Sequence, residues 1–311
     1  MRFHTGLPGL MRYPPGFTPE WETRLTAPDF QAIARAADDL GYDSIQIPEH
    51  IVMPKELAKT MGAHWPHAFT TMAFVAGATT RIAVNSCVIV LPYHEPIALA
   101  KAVATLDVLT GGRVLLTFGV GHAEEEFHAL GVPFEKRGRI TDEYIEVMKV
   151  LWTEDAPSYE GEFVSFKDVQ FEPKPVQRPH PTIWIGGNSL AAVRRAARNR
   201  GWMPWLVTQE ELPARLDDLR AMPGYAADGF DIVMSPAPLR VRESDHSLLD
   251  DDPRPGFANG QAVIDAIGHL SDIGVTWTNI PHPGPPTTSL AEHLEHLAWG
   301  AETVMPLFRS E

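Results

Sequence analysis

Cysteine is nearly missing from this chain: its 311 residues contain one, Cys87. A disulfide within the chain and a thiolate metal cage are therefore both excluded. No apolar run approaches the length of about 18 residues that marks a membrane span. The opening MRFHTGLPGL lacks the apolar core of a secretory leader, so a cytoplasmic protein is expected. Positive charge is scarce too, with 26 Lys and Arg against 40 Asp and Glu and a net charge of −14. That balance speaks against a nucleic-acid partner, which needs a basic stripe to neutralise phosphates. A small-molecule substrate, with no nucleic acid and no membrane, is the expectation that remains.

What is present is alternation. Short apolar runs are followed by helical patterns, eight times over. The runs are RFHTGLP (2–8), YDSIQIPEH (42–50), RIAVNSCVIV (81–90), RVLLTFG (113–119), TIWIGG (182–187), WMPWLV (202–207), FDIVMSP (230–236) and VTWTNIP (275–281). Helical patterns follow at about 29–40, 67–78, 96–110, 139–152, 189–200, 210–222, 260–273 and 289–308. Strands alternating with helices require a parallel sheet with right-handed crossovers. Eight pairs predict an α/β fold, a single (β/α)8 TIM-like barrel spanning residues 1–311. Two stretches break the rhythm. An insertion rich in Pro, Tyr and Phe follows the fourth helix (153–181), and a long polar loop follows the seventh strand (236–258).

A barrel keeps its chemistry at the C-terminal strand ends. Gly119 and Gly121 stand there after strand four. A dinucleotide fingerprint needs a third glycine at position 124, which is glutamate, so this is not a Rossmann loop. The two glycines serve either a tight strand-to-helix turn or the close approach of a ligand. Gly186-Gly187-Asn188-Ser189 after strand five opens a helix, where free N–H groups make either a plain cap or an anion site. His50 ends strand two beside Glu49. As a lone histidine it is either structural or, at a barrel mouth and near neutrality, a proton carrier. His4 and His122 are placed at the same mouth, and Trp205, Ser235 and His282 end later strands. A histidine-rich mouth raises a metal-dependent hydrolase as a rival, weakened because Glu49 and His50 are adjacent and point to opposite faces. No metal ligand set is assigned.

Taken in order, LGYDSIQIPEH, TTRIAVNSCVIVLPYHEPIALAKAVATLDVLTGGRV, GVGHAEEEFHALGVPFEKRGRITDEYIEVMKVLW and PTIWIGGNS resemble the bacterial luciferase-like superfamily, most of all its F420-dependent oxidoreductase branch. The resemblance runs nearly end to end. It implies a flavin-type ring, coenzyme F420 or alternatively FMN, with hydride transfer to or from a small organic substrate. FMN-dependent monooxygenation is the alternative within the superfamily. It implies a bulge with a non-proline cis bond at Ser86-Cys87 behind the ring. It also implies backbone of Gly119 and Gly121 near the cofactor, the cofactor phosphate at Gly186-Gly187 with Asn188 and Ser189, and His50 beside the redox centre. His122 is the rival catalytic group. A homodimer through the helices after strands two and three is implied as well. A sugar-phosphate branch carries a glutamate acid where His122 falls when the glycines are aligned. Its phosphate-binding lysines have no match either, since no lysine follows Lys174, so a sugar phosphate is not expected.

Overall fold

The computed structural model describes residues 1–14, 17–237 and 256–309. Eight parallel strands lie in chain order in one sheet: β1 (Arg2–Thr5), β2 (Ser44–Ile47), β3 (Ala83–Val90), β4 (Val114–Gly119), β5 (Thr182–Gly186), β6 (Gly201–Met203), β7 (Asp231–Ile232) and β8 (Trp277–Asn279). β8 pairs with β1, and a parallel bridge from Val233 to Trp277 joins β7 to β8, so the sheet closes on itself. The alternation in the sequence thus gives the (β/α)8 barrel it implies.

Strand alternation sorts the side chains into two sets. Phe3, Ile45, Val84, Leu116 and Ile183 are fully buried in the layer between sheet and helices. Trp184, Val233 and Trp277 fill the interior with Leu115 and Met203. Both indoles donate to the Asp231 carboxylate, at 3.1 and 2.9 Å, so the polar tips of these large side chains are satisfied inside the barrel.

The helices that matter to the site are α1 (Ala27–Asp39), α2 (Lys55–Met61), α3 (Ala68–Ala76), α4 (Pro96–Thr110), α5 (Glu124–Leu130), α6 (Arg137–Thr153) and α7 (Leu190–Ala197). Local chemistry sets their ends. Glu95 caps α4 by accepting from the N–H groups of Ile97 and Ala98, Pro96 fills the first helical position, and left-handed Gly111 stops it. The insertion after α6 carries a two-stranded hairpin (Tyr159–Glu160 and Ser165–Phe166). The Glu143 carboxylate of α6 holds its turn, accepting from the N–H groups of Glu162, Phe163 and Val164 at 2.9, 2.8 and 2.8 Å.

Several expected bounds shift. β6 ends at Met203 because Pro204 has no N–H for the ladder. β1 ends at Thr5, short of Gly6. The last helix is not one piece: an α-helix (Leu290–Trp299) widens into a π turn (Gly300–Val304) before a final turn (Met305–Phe308), where Pro306 offers no N–H. The loop expected at 236–258 falls largely on residues 238–255, outside the described residues. Among the described residues no helix is long and apolar enough to cross a membrane.

Candidate functional site

A cavity of about 520 Å³ opens at the C-terminal end of the barrel, lined by residues that follow β1 to β6. Its floor is built by a bulge. β3 and β4 run in register up to Cys87–Thr117 and resume at Ile89–Phe118, so Val88 is the extra residue. The peptide bond between Cys87 and Val88 is cis. The expected position, Ser86-Cys87, is thus corrected by one residue. Ser86 still pairs regularly with Leu116, and the extra residue comes only after Cys87.

Val88 explains the glycines. A Cβ on Gly119 would lie 2.7 Å from Val88 Cγ2, and one on Gly186 would lie 2.9 Å from Val88 Cγ1. Gly121 has φ +77°, and a Cβ there would meet Val90 and Phe127 within 2.9 Å. The glycines therefore make room for the chain's own bulge and for Phe127. Gly119→Ala is expected to lower the melting temperature by about 5 °C through overpacking. Val88→Ala in the same chain removes the clashing methyl and should recover most of that loss in a calorimetric scan. Additive losses would show that Gly119 is needed for another reason.

His50 lies three residues beyond the end of β2 and is buried. Its Nδ1 is 2.8 Å from Oε2 of Glu126, which is completely buried. The same oxygen accepts from the Tyr93 hydroxyl at 3.1 Å, and Oε1 accepts from the N–H groups of Ile51 and Val52 at 2.7 and 3.0 Å. Burial pushes the Glu126 carboxyl up. The hydrogen bond and charge of His50 and the two N–H groups outweigh this, holding it below the usual carboxylate value. Burial, then the Glu126 charge, pushes the Tyr93 hydroxyl up, so it remains a donor. An ionised Glu126 only accepts, so the Nδ1–H of His50 donates to it. The His122 ring stands edge to face with His50, centroids 5.9 Å apart, and Trp65 contacts His50 at 4.7 Å.

A second carboxylate–imidazole pair braces the first. Glu49 accepts from Val90 N–H at 3.0 Å and meets His94 Nε2 at 2.9 Å. Glu49 and His50 thus turn to different partners. Among the described residues no group of three or more His, Cys, Asp and Glu side chains is placed to hold a metal ion.

Of the residues singled out in the sequence, His50, Cys87, Gly119, Gly121, His122, Gly186, Gly187 and Asn188 line the cavity, and so does Trp205. Ser86 and Ser189 do not. Ser86 is fully buried, and its Oγ accepts from Thr117 N–H at 3.0 Å. Ser189 caps α7, accepting from Ala192 N–H at 3.2 Å. Gly187 N–H, expected to be free for an anion, donates to Met203 O at 3.1 Å. Arg195 is committed to Asp142 and Gly138 O. The Cys87 thiol faces Met203 Sδ at 3.6 Å, and burial pushes it up to about 12, so it stays protonated near neutrality. His4 does not share the mouth. It is buried within β1, paired with Ser44 and Asn279, and desolvation lowers it to about 3. His282 packs on His296, away from the cavity.

Glu126 and Tyr93 were not singled out in the sequence. A signal was available. Ala123, Glu126, Phe127 and Leu130 fall at i, i+3, i+4 and i+7, so Glu126 sits on the helix's inner stripe while Glu124 and Glu125 are exposed.

Comparison with known proteins adds to this geometry. An uncharacterized protein of Mycobacterium tuberculosis is 32% identical over 293 residues, 88% of this chain and 93% of its own. An FMNH2-dependent dimethylsulfone monooxygenase of Pseudomonas putida is 36% identical over 165 residues, 51% of this chain and 45% of its own. An F420-dependent glucose-6-phosphate dehydrogenase of Microbacterium testaceum is 30% identical over 209 residues, 64% of this chain and 60% of its own. In fold, the monooxygenase RslO1 from Streptomyces bottropensis superposes with a TM-score of 0.77 at 22% identity, covering 99% of this chain and all of the other. Residues 11–255 match the family model for luciferase-like monooxygenases, and the chain belongs to that family, whose members are F420- or flavin-dependent oxidoreductases and monooxygenases.

Proposed function

We propose that this protein is an F420-dependent oxidoreductase that moves a hydride between the coenzyme and a small organic substrate. The observation that carries the reading is the His50–Glu126 pair. Hydride transfer to or from a carbon bearing oxygen requires a proton to move at that oxygen. A buried imidazole that lines the cavity, with a carboxylate behind its Nδ1, is built to take or give it. When bound, the deazaflavin ring supplies the hydride chemistry.

The cavity fits such a ring. Its volume lies in the range of roughly 300–1,000 Å³ that ligand sites occupy. Gly119 and Gly186 leave the floor around Val88 free of other side chains, so a flat tricycle can rest on that isopropyl group. Asn188 and the N-terminus of α7 are proposed to hold the phosphate end, with the helix dipole as the attraction. Gly187 contributes its shape, since its N–H is already used.

FMN-dependent monooxygenation is the second reading, supported by the sulfone monooxygenase relative. Titrating cofactor-free protein with F420 and with FMN separates them. F420 is expected to bind at least about ten-fold more tightly, and tighter FMN binding would sink the first reading. A homodimer belongs to the same proposal. Phe74 on α3 and Ile97, Val108 and Leu109 on α4 are exposed apolar residues on the helices after β2 and β3, with Leu109 at 79%. Light scattering at micromolar concentration should give twice the chain mass of 34.4 kDa.

A further inference from the structure

We infer that the substrate is an uncharged, mainly apolar molecule, held against a preformed aromatic and methionine wall made by the loops after β1 and β2. This rests on the reading of the cavity as the reacting site.

The wall is stitched from two loops. Arg12 and His64 form an antiparallel bridge, with Arg12 N–H donating to His64 O at 3.2 Å. Met11 and Tyr13 flank the bridge on one side; on the other Trp65 follows His64 and Met61 ends α2, and all four line the cavity. Extended-chain alternation puts Met11 and Tyr13 on the same side and Arg12 on the other. Arg12 is absent from the cavity lining, and its Nε donates to Gly9 O at 3.3 Å. The one polar atom of the Trp65 indole is satisfied within its own loop by Gly62 O at 3.2 Å. What Trp65 presents to the cavity is therefore apolar surface, edge-on to Tyr13 and to His50.

Gly62 makes the stitch possible. It has φ +73°, and a Cβ there would lie 1.8 Å from Arg12 O. The close backbone contact fixes the wall before any ligand arrives, which lowers the entropy cost of binding. Methionines on such a wall adapt to varied apolar shapes.

The charge census is equally specific. Among the described residues lining the cavity there is no lysine and no arginine. A carboxylate or phosphate on the substrate would be buried with no cation beside it among those residues. An ammonium fares no better. The Glu126 oxygens already accept four hydrogen bonds, and those of Glu49 are occupied by Val90 N–H and His94. The His50 imidazole lines the cavity and suits one hydroxyl or carbonyl.

The test is calorimetric titration with naphthalene-2-methanol, its 6-carboxylate and its 6-aminomethyl analogue, with and without bound cofactor. The neutral alcohol is expected to bind at least about 100-fold more tightly than either charged form. Gly62→Ala is expected to weaken that binding more than ten-fold and leave cofactor affinity unchanged. If that variant folds poorly, Met61→Arg serves instead, and it should admit the carboxylate. A charged probe binding as tightly as the alcohol overturns the inference, as does no binding by any of the three. Loss of both F420 and FMN binding with the neutral preference retained would sink the cofactor reading and uphold the inference about the wall.

Discussion

Glu126→Gln should fold as the native protein does and lose turnover by about 10²–10⁴-fold. The amide has the shape of the carboxylate but one acceptor oxygen in place of two. With that oxygen toward the Ile51 and Val52 N–H groups, its NH2 faces His50 Nδ1, which must then give up its proton and accept. The proton moves to Nε2, so the imidazole faces the substrate in the other tautomer. With the amide reversed, its NH2 opposes two backbone N–H groups. Either way Glu126 acts through His50, as a positioning residue. A purely structural role would change stability and leave the kinetics alone. A positioning role predicts that kcat falls while KM and cofactor affinity hardly change. Unchanged turnover would remove Glu126 from the mechanism.

The same carboxylate makes a stability prediction of definite sign. Its pKa is lowered in the folded protein, so it binds a proton less readily there than in the unfolded chain. Its stabilisation is present above the unfolded value, about 4.3, and is lost as pH falls through the folded value. Glu126→Ala removes the partner from four donors, the buried His50 among them, and should cost about 3–5 kcal/mol at neutral pH, the cost of breaking a buried charged pair. Glu126→Gln should flatten the fall in melting temperature between about pH 5 and 3. A wild-type protein and a glutamine variant that lose stability in parallel over that range would contradict it.

How far the sequence carries this picture depends on whether a feature is local. The barrel was legible because strand and helix periods are local, and eight repeats of the pair leave few topologies. The α4 ends were legible for the same reason, since a cap, an N1 proline and a C-terminal glycine are read within a few residues. The bulge was legible only to within one residue. Its position is set by pairing with β4, and nothing within AVNSCVIV distinguishes Cys87 from Val88 as the point where register slips. His4 was misplaced because its strand ends one residue later, at Thr5, which keeps it inside the barrel. The purpose of Gly119 and Gly186 was hidden because both accommodate Val88, which lies on a third strand. Glu126 was different. Its partners are distant in sequence, yet a lone carboxylate on an apolar helical stripe is itself a signal, because burial without partners would be prohibitive.

An effect of the same size is expected at His50. His50→Ala should lower turnover by about 10²–10⁴-fold and leave cofactor affinity nearly unchanged, since the imidazole is proposed to act at the substrate oxygen. The alanine variant also leaves Glu126 buried with one partner fewer, so a modest fall in melting temperature is expected alongside. His50→Gln separates the two effects. Its amide can donate to Glu126 and restore the packing, yet it cannot titrate, so stability should recover while turnover does not. His122 is the competing proton carrier, because its ring faces His50 at 5.9 Å and lines the same cavity. The two are distinguished by what stands behind them: His50 has a buried carboxylate to fix its tautomer and to stabilise its charged form. His122→Ala is accordingly expected to change substrate affinity more than turnover, with the pH profile intact. Full turnover in His50→Ala, together with a lost profile in His122→Ala, would exchange the two roles.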